Sequence, residues 1–264
     1  MIITTHSLKE MKSAKKKIAM LTAHDYPTAR LLDAAGIEIV LVGDSLGNSV
    51  LGYENTLPVT MDEMLHHTKA VKRGVERAMV IGDMPFMSYQ LSPEQALFNA
   101  SRFIKEGGAN GVKVEGAIYL DSIRKIIEAG IPVMGHLGFT PQSVNQLGGY
   151  RIQGRTSLEG KKILTDAKAL EKAGVFAIVI EMVPPAVSRK LSQTLDIPII
   201  SCGGGAGCDG QVLVLNDLLG LTSGSCTPKF VKKYADLNKV IKSAVSAYIS
   251  DVKSGHFPGK ENIY

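Results

Sequence analysis

Tryptophan is absent from the 264-residue chain, and all aromatics together make only 6% of it. A core built without large rings must come from Val, Ile, Leu, Met and Ala, the side chains that fill barrel interiors. Cysteine is scarce. Cys202, Cys208 and Cys226 are an odd set in a long chain, so no disulfide framework is expected. Their spacing is not that of a zinc ribbon, and they read as small buried thiols in a reducing compartment. No apolar run approaches the ~20 residues that span a bilayer. The N-terminus, MIITTHSLKEMKSAKKK, has no apolar core of a secretory signal. A cytoplasmic protein without membrane contact is expected.

Charge of one sign is not concentrated either. The net charge is +5 and the pI about 9.0, but the lysines are dispersed apart from the cluster at 12–17. No zinc-finger spacing and no RNA-binding aromatic motif accompanies them, so nucleic acid is not an expected partner. A mildly positive field suits small anionic substrates. With 45% hydrophobic and 21% charged residues, the chain has the composition of an ordinary globular protein rather than a disordered one.

What is present is a weak repeat. A helical stretch ends in Gly, a short β-branched run follows, and a polar residue closes it. The copies are AAGIEIVLVGDS (34–45), EGGANGVKVEG (106–116), EAGIPVMGH (128–136) and KAGVFAIVIE (172–181). Gly36, Gly130 and Gly174 suit the left-handed residue that ends a helix. The apolar runs do not alternate, as expected for strands buried on both faces. KIAMLTA (17–23), RAMVIGDMP (77–85), DIPIISCGGG (196–205) and LLGLTSG (218–224) supply four more strands. Ser92, Pro93 and Glu94 mark a helix start over 92–108. The stretch 137–162 reads as a long loop after strand five, and 236–255 as an amphipathic helix. Eight βα units at this length predict an α/β fold, a single (β/α)₈ TIM barrel, with residues 1–264 as one domain.

Barrel active sites lie where the strands end. The polar residues closing the strands are Asp44 and Ser45, Asp83, Lys113 and Glu115, His136, and Glu181. Asp44 and Asp83 fall on neighbouring strands, where two carboxylates repel unless one is protonated or a cation lies between them. Oxygen-only ligation points to a hard divalent ion such as Mg²⁺, with Glu115 nearby. An Asp after a strand is also a common helix cap. Lys113 and Glu115, two apart, share the inward face, with Val112 and Val114 outward. Lys113 suits a substrate carboxylate or a Schiff base, or forms a structural pair with Glu115. His136 is placed for substrate contact, or is a satisfied core histidine. Glu181 ends the very apolar run VFAIVI, where desolvation makes a carboxylate a stronger base; the alternative is a structural ion pair. The glycine run 203–207 suits a phosphate or a bulky cosubstrate, but is a weak signal alone.

The ordered motifs LTAHDYPTA (21–29), VGDSLG (42–47), DMPFMSY (83–89), VKVEG (112–116), GHLGFTPQS (135–143), EMVPPAV (181–187) and CDGQVLVLNDLLGL (208–221) resemble the ketopantoate hydroxymethyltransferase family over nearly the whole chain. The resemblance implies a barrel of the phosphoenolpyruvate mutase/isocitrate lyase-like type. It implies transfer of a hydroxymethyl group from 5,10-methylenetetrahydrofolate to 3-methyl-2-oxobutanoate, giving 2-dehydropantoate, by enolate chemistry that Mg²⁺ stabilises. One Mg²⁺ per subunit is implied, on Asp44 and Asp83 with support from Glu115. Ser45, Asp44, Asp83, Lys113 and His136 would hold the substrate, and Glu181 would be the catalytic base. Assembly into a homo-oligomer, often a decamer, is implied too. The other expectation for such a barrel is a Mg²⁺-dependent carbon–carbon lyase of the mutase type, although the catalytic-cysteine loop of those enzymes is missing here.

Overall fold

The computed structural model describes residues 2–222 and 228–264, which fall into two compact units divided after Val214. Cys226 lies outside the described residues. The first unit opens with α1 (Thr5–Ser13), followed by β1 (Ile18–Thr22), α2 (Tyr26–Ala34) and β2 (Ile39–Val42). Then come α3 (Leu46–Ser49), α4 (Met61–Gly74), β3 (Met79–Asp83), α5 (Pro93–Lys105) and β4 (Gly111–Glu115). Next are α6 (Leu120–Glu128), β5 (Val133–Gly138), a 3-10 turn at Pro141–Ser143 and α7 (Val144–Leu147). The unit ends with α8 (Ser157–Ala173), β6 (Ala177–Glu181), α9 (Pro185–Thr194), β7 (Ile199–Cys202) and β8 (Gly210–Leu213). The eight strands are parallel, pair in sequence order, and close by β1 against β8.

Two apolar clusters follow from strand alternation. Ile18, Met20, Ile39, Leu41, Met79, Ile81, Met134, Ala177, Val179, Ile200 and Val212 fill the barrel interior. Their neighbours in sequence, such as Val40, Val80, Val112, Val114, Ile178 and Ile180, face the helices. Leu8 of α1 is fully buried and belongs to the interior cluster, so the N-terminal helix plugs the end of the barrel where the strands begin. Thr4 caps α1 with a reciprocal Ser7 bond, a start signal the lysine-rich sequence around it obscures.

Two sequence expectations need correction. The eighth strand is Gly210–Leu213, not 218–224; Leu218 ends the helical turn α10 (Leu215–Leu218), and residues 223–224 lie outside the described set. The repeat implies a helix before each strand, which would place the eighth strand one segment later. Here the glycine run 203–209 alone joins β7 to β8. The loop after strand five is also shorter than 137–162. Thr156 and Glu159 form a capping box that starts α8 at Ser157, a signal present in the sequence as TSLE.

The second unit holds α10 and α11 (Leu237–Ser254), capped by the Asp236 side chain at one end and left-handed Gly255 at the other. The Tyr248 ring meets Phe257 at 5.5 Å. Among the described residues no helix is long and apolar enough to cross a membrane.

Candidate active site

Asp83, Lys113, Glu115, His136 and Glu181 arrive at the mouth by the same alternation that fills the interior, whereas Asp44 and Ser45 lie past the end of β2, in the turn into α3. On β4, Lys113 and Glu115 continue the inward row, and both are buried. Parallel register then sets neighbours: Asp83 lies opposite Lys113, and Glu115 opposite His136. Gly138 lies opposite Glu181 at the end of the β5–β6 pair, in a left-handed conformation (φ +90°), and a Cβ there would run into the Glu181 carbonyl. Met182, directly after Glu181, is a non-glycine residue held at φ +46°, a strained conformation of the sort found beside functional groups.

The charged groups form one continuous line across the strand ends. The backbone N–H of Asp44 donates to Asp83 Oδ2 at 3.2 Å. Lys113 Nζ donates to Asp83 Oδ1 at 2.6 Å and lies 3.6 Å from Glu115 Oε1. His136 Nδ1 is 3.1 Å from the same Glu115 oxygen. His136 Nε2 lies 3.3 Å from Glu181 Oε2, close enough for an ion pair but not aligned as a hydrogen bond. Glu181 differs from the rest: its side chain is 18% exposed against 2% for His136 and Glu115, so the full desolvation expected of it is not found. Ser45 stands apart from the line, its buried hydroxyl without a hydrogen-bond partner among the described residues and close to Gly43.

Burial and neighbours decide the charge states. Burial and the adjacent Asp83 raise the Asp44 carboxyl well above the usual carboxylate range, so its charge is disfavoured there. Burial and Lys113 push His136 down, but Glu115 and Glu181 outweigh them and lift it to about 9, so it is a cation. Burial would lower Lys113, yet the carboxylates of Asp83, Glu115 and Asp44 raise it. Burial opposes ionisation of Glu115, but Lys113 and His136 hold it below the usual carboxylate range.

These charges give a test for a metal. With Asp44 ionised, four carboxylates would face two cations, Lys113 and His136. The surplus is two negative charges, that of one divalent ion. Glu115 is poorly free to ligate it directly, since one oxygen faces Lys113 and His136 and the other accepts the Gln142 backbone N–H at 3.0 Å. Among the described residues no three His, Cys, Asp or Glu side chains form a metal-holding group. Asp83 is likewise engaged at both oxygens, by Lys113 and the Asp44 backbone N–H, so its ligation too would use remaining lone pairs. Asp44 and Asp83, with Glu115 beside them, suit an ion of the Mg²⁺ type, which binds through one or two carboxylates and fills its shell with water and substrate.

Two buried residues at the site escaped the sequence reading. Gln142 comes from the 3-10 turn after β5, and Tyr89 from the segment after β3. The Tyr89 hydroxyl donates to Gln142 Oε1 at 2.7 Å, and burial and Glu115 raise its phenol well above the ordinary value, so it stays a donor. Both lie in motifs singled out above, FTPQS and DMPFMSY, but no strand period marks them.

Comparison with known proteins bears on this site. Residues 2–260 match the family described as ketopantoate hydroxymethyltransferase. A 3-methyl-2-oxobutanoate hydroxymethyltransferase of Dehalococcoides mccartyi is 57% identical over 97% of this chain and 90% of its own length. Its counterpart in Carboxydothermus hydrogenoformans is 56% identical over 99% and 95%. Among solved structures, 2,3-dimethylmalate lyase, a member of the PEP mutase/isocitrate lyase superfamily, aligns with a TM-score of 0.61 over 100% of this chain and 93% of its own, at 14% identity. That likeness is one of fold alone and does not favour the lyase reading. The match across almost the whole chain shows that it belongs to the ketopantoate hydroxymethyltransferase family.

Proposed function

We propose that this chain transfers a one-carbon unit from 5,10-methylenetetrahydrofolate to C3 of 3-methyl-2-oxobutanoate, giving 2-dehydropantoate, with a divalent cation of the Mg²⁺ type at Asp44 and Asp83. The observation that carries this reading is the line from Asp44 to Glu181, which becomes short of two positive charges once Asp44 ionises and which ends in a partly exposed carboxylate. Family membership supplies the substrate class. When bound, the cation supplies charge that favours the enolate of a 2-oxo acid over its keto form.

The chain's own residues do the rest. Lys113, a cation beside Asp83, and Ser45, with its unpartnered buried hydroxyl, receive the substrate carboxylate. Glu181 removes the C3 proton. His136 lies between Glu115 and Glu181, so its position is fixed from one side while its charge faces the other. Glu115 holds His136 and Lys113 in place, supporting the ion without touching it. The enolate carbon attacks the methylene carbon of the folate iminium, and hydrolysis of that adduct releases product and tetrahydrofolate. The family resemblance also carries a homo-oligomeric, cytoplasmic enzyme into this reading.

The test is product formation from the oxo acid and methylenetetrahydrofolate, with and without EDTA. Product that requires both the donor and a divalent ion is the expected result. Product formed without the donor, or in EDTA, contradicts the reading. Glu181→Gln should lower kcat by about 10²–10⁴-fold, the range for a general base, with the KM for the oxo acid little changed. A raised KM with near-normal kcat would remove Glu181 from the base role.

A further inference from the structure

Gln142 joins parts of the mouth that no strand pairing brings together. Its side chain is buried, and its amide carries two N–H donors and one carbonyl oxygen. Nε2 donates to Asp44 Oδ2 and to the Met84 carbonyl, each at 2.9 Å. Oε1 accepts from the Tyr89 hydroxyl at 2.7 Å and lies 3.4 Å from Gln90 Nε2. A flipped amide would set its carbonyl against both the Met84 carbonyl and Asp44, so the orientation is fixed by the network. The Gln142 backbone N–H donates to Glu115 Oε2 at 3.0 Å. One residue of the turn after β5 therefore holds a carboxylate that follows β2 and another at the end of β4.

We propose that Gln142 is a positioning residue, holding Asp44 by Oδ2 and Glu115 by Oε2, so that Asp44 offers only Oδ1 to the divalent ion and Glu115 only Oε1 to Lys113 and His136. The proposal rests on the metal-dependent reading above. The physical reason is the octahedral demand of a small hard cation, which takes single oxygens in fixed directions. A carboxylate tied at one oxygen cannot swing to chelate with both. Glutamine suits the task because two acceptors, Asp44 Oδ2 and the Met84 carbonyl, need two donors from one group. Glutamate would meet both with like charge or lone pairs. Leucine would leave both unpaired.

The experiment compares wild type, Gln142→Leu and Tyr89→Phe. Mg²⁺ affinity in the presence of the oxo acid is measured by calorimetry, and melting of the metal-free protein is measured alongside. Partners that orient metal ligands typically change affinity about 10–100-fold, and Gln142→Leu should weaken Mg²⁺ binding by that much. Tyr89→Phe, which loses its hydroxyl contact to the amide, should weaken it about 3-fold or more, in line with one hydrogen bond. A Gln142→Leu protein that melts lower yet binds Mg²⁺ with wild-type affinity overturns the proposal and leaves a merely structural glutamine. If that variant does not fold, Tyr89→Phe decides: weaker binding upholds the proposal, and wild-type affinity overturns it. Wild-type protein that binds no divalent ion with the oxo acid overturns instead the metal-dependent reading on which this stands.

Discussion

At the scale of single residues, the mouth is organised by protons as much as by positions. Burial and Asp83 disfavour the charge of Asp44. A divalent ion reverses that balance, and metal binding to a protonated ligand releases the proton. Binding of Mg²⁺ with the oxo acid should therefore be accompanied by proton release; calorimetry in buffers of different ionisation enthalpy measures it. Release near zero would mean that Asp44 is already ionised or does not ligate. His136 gives a prediction of opposite sign. Its folded value of about 9 lies above its ordinary 6.5. Its stabilising contribution is complete below about pH 6.5 and is lost as pH rises through about 9. In metal-free protein, the stability gap between wild type and His136→Gln should be widest near pH 6 and narrow above 9. A gap that widens with pH would contradict the cationic assignment. The place of the strand-closing residues was legible in the sequence because a polar residue that stops an apolar run marks the strand end, where a barrel has its mouth. Gln142 and Tyr89 were not, because they reach the mouth from loops, where no period tells inward from outward.

At the scale of elements, strand alternation and helix capping explain both what was readable and what was missed. Strands β3, β4 and β6 end at the charged residue that closes their apolar run, Asp83, Glu115 and Glu181, whereas β2 stops at Val42, two residues before Asp44, and β5 runs two residues past His136 to Gly138. The helix start at Ser92 was readable from Ser92 and Pro93, and the cap accepts from Gln95 as expected. The start of α8 was equally written in Thr156 and Glu159, but lay hidden within a glycine- and arginine-rich stretch. Helix α1 was missed because its polar, lysine-rich face dominates; only Leu8 is buried. That one side chain should nevertheless matter. Leu8→Ala empties a fully buried site at the barrel's closed end and should cost about 2–5 kcal/mol, the range for buried leucines. Denaturant unfolding measures it. A loss below about 0.5 kcal/mol, the scatter for surface positions, would mean that α1 does not plug the barrel in solution.

At the scale of the whole molecule, a closed eight-stranded barrel was predictable from the count of βα units, and the chain closes β8 on β1 as that count requires. The eighth strand was misplaced because the fold omits a helix between β7 and β8, and a repeat cannot announce its own omission. The barrel is shared with enzymes at 14% identity that do other chemistry, so architecture says little about the reaction. The family is fixed by identities of 56–57% along nearly the whole chain. The central claim is that this mouth makes an enolate of 3-methyl-2-oxobutanoate with a divalent ion and Glu181. Proton–deuterium exchange at C3 of the oxo acid, followed by NMR without any one-carbon donor, tests it most directly. Exchange is expected in Mg²⁺ and should stop in EDTA and in Glu181→Gln. Exchange that persists in EDTA, or none at all in wild-type protein with Mg²⁺, would contradict it.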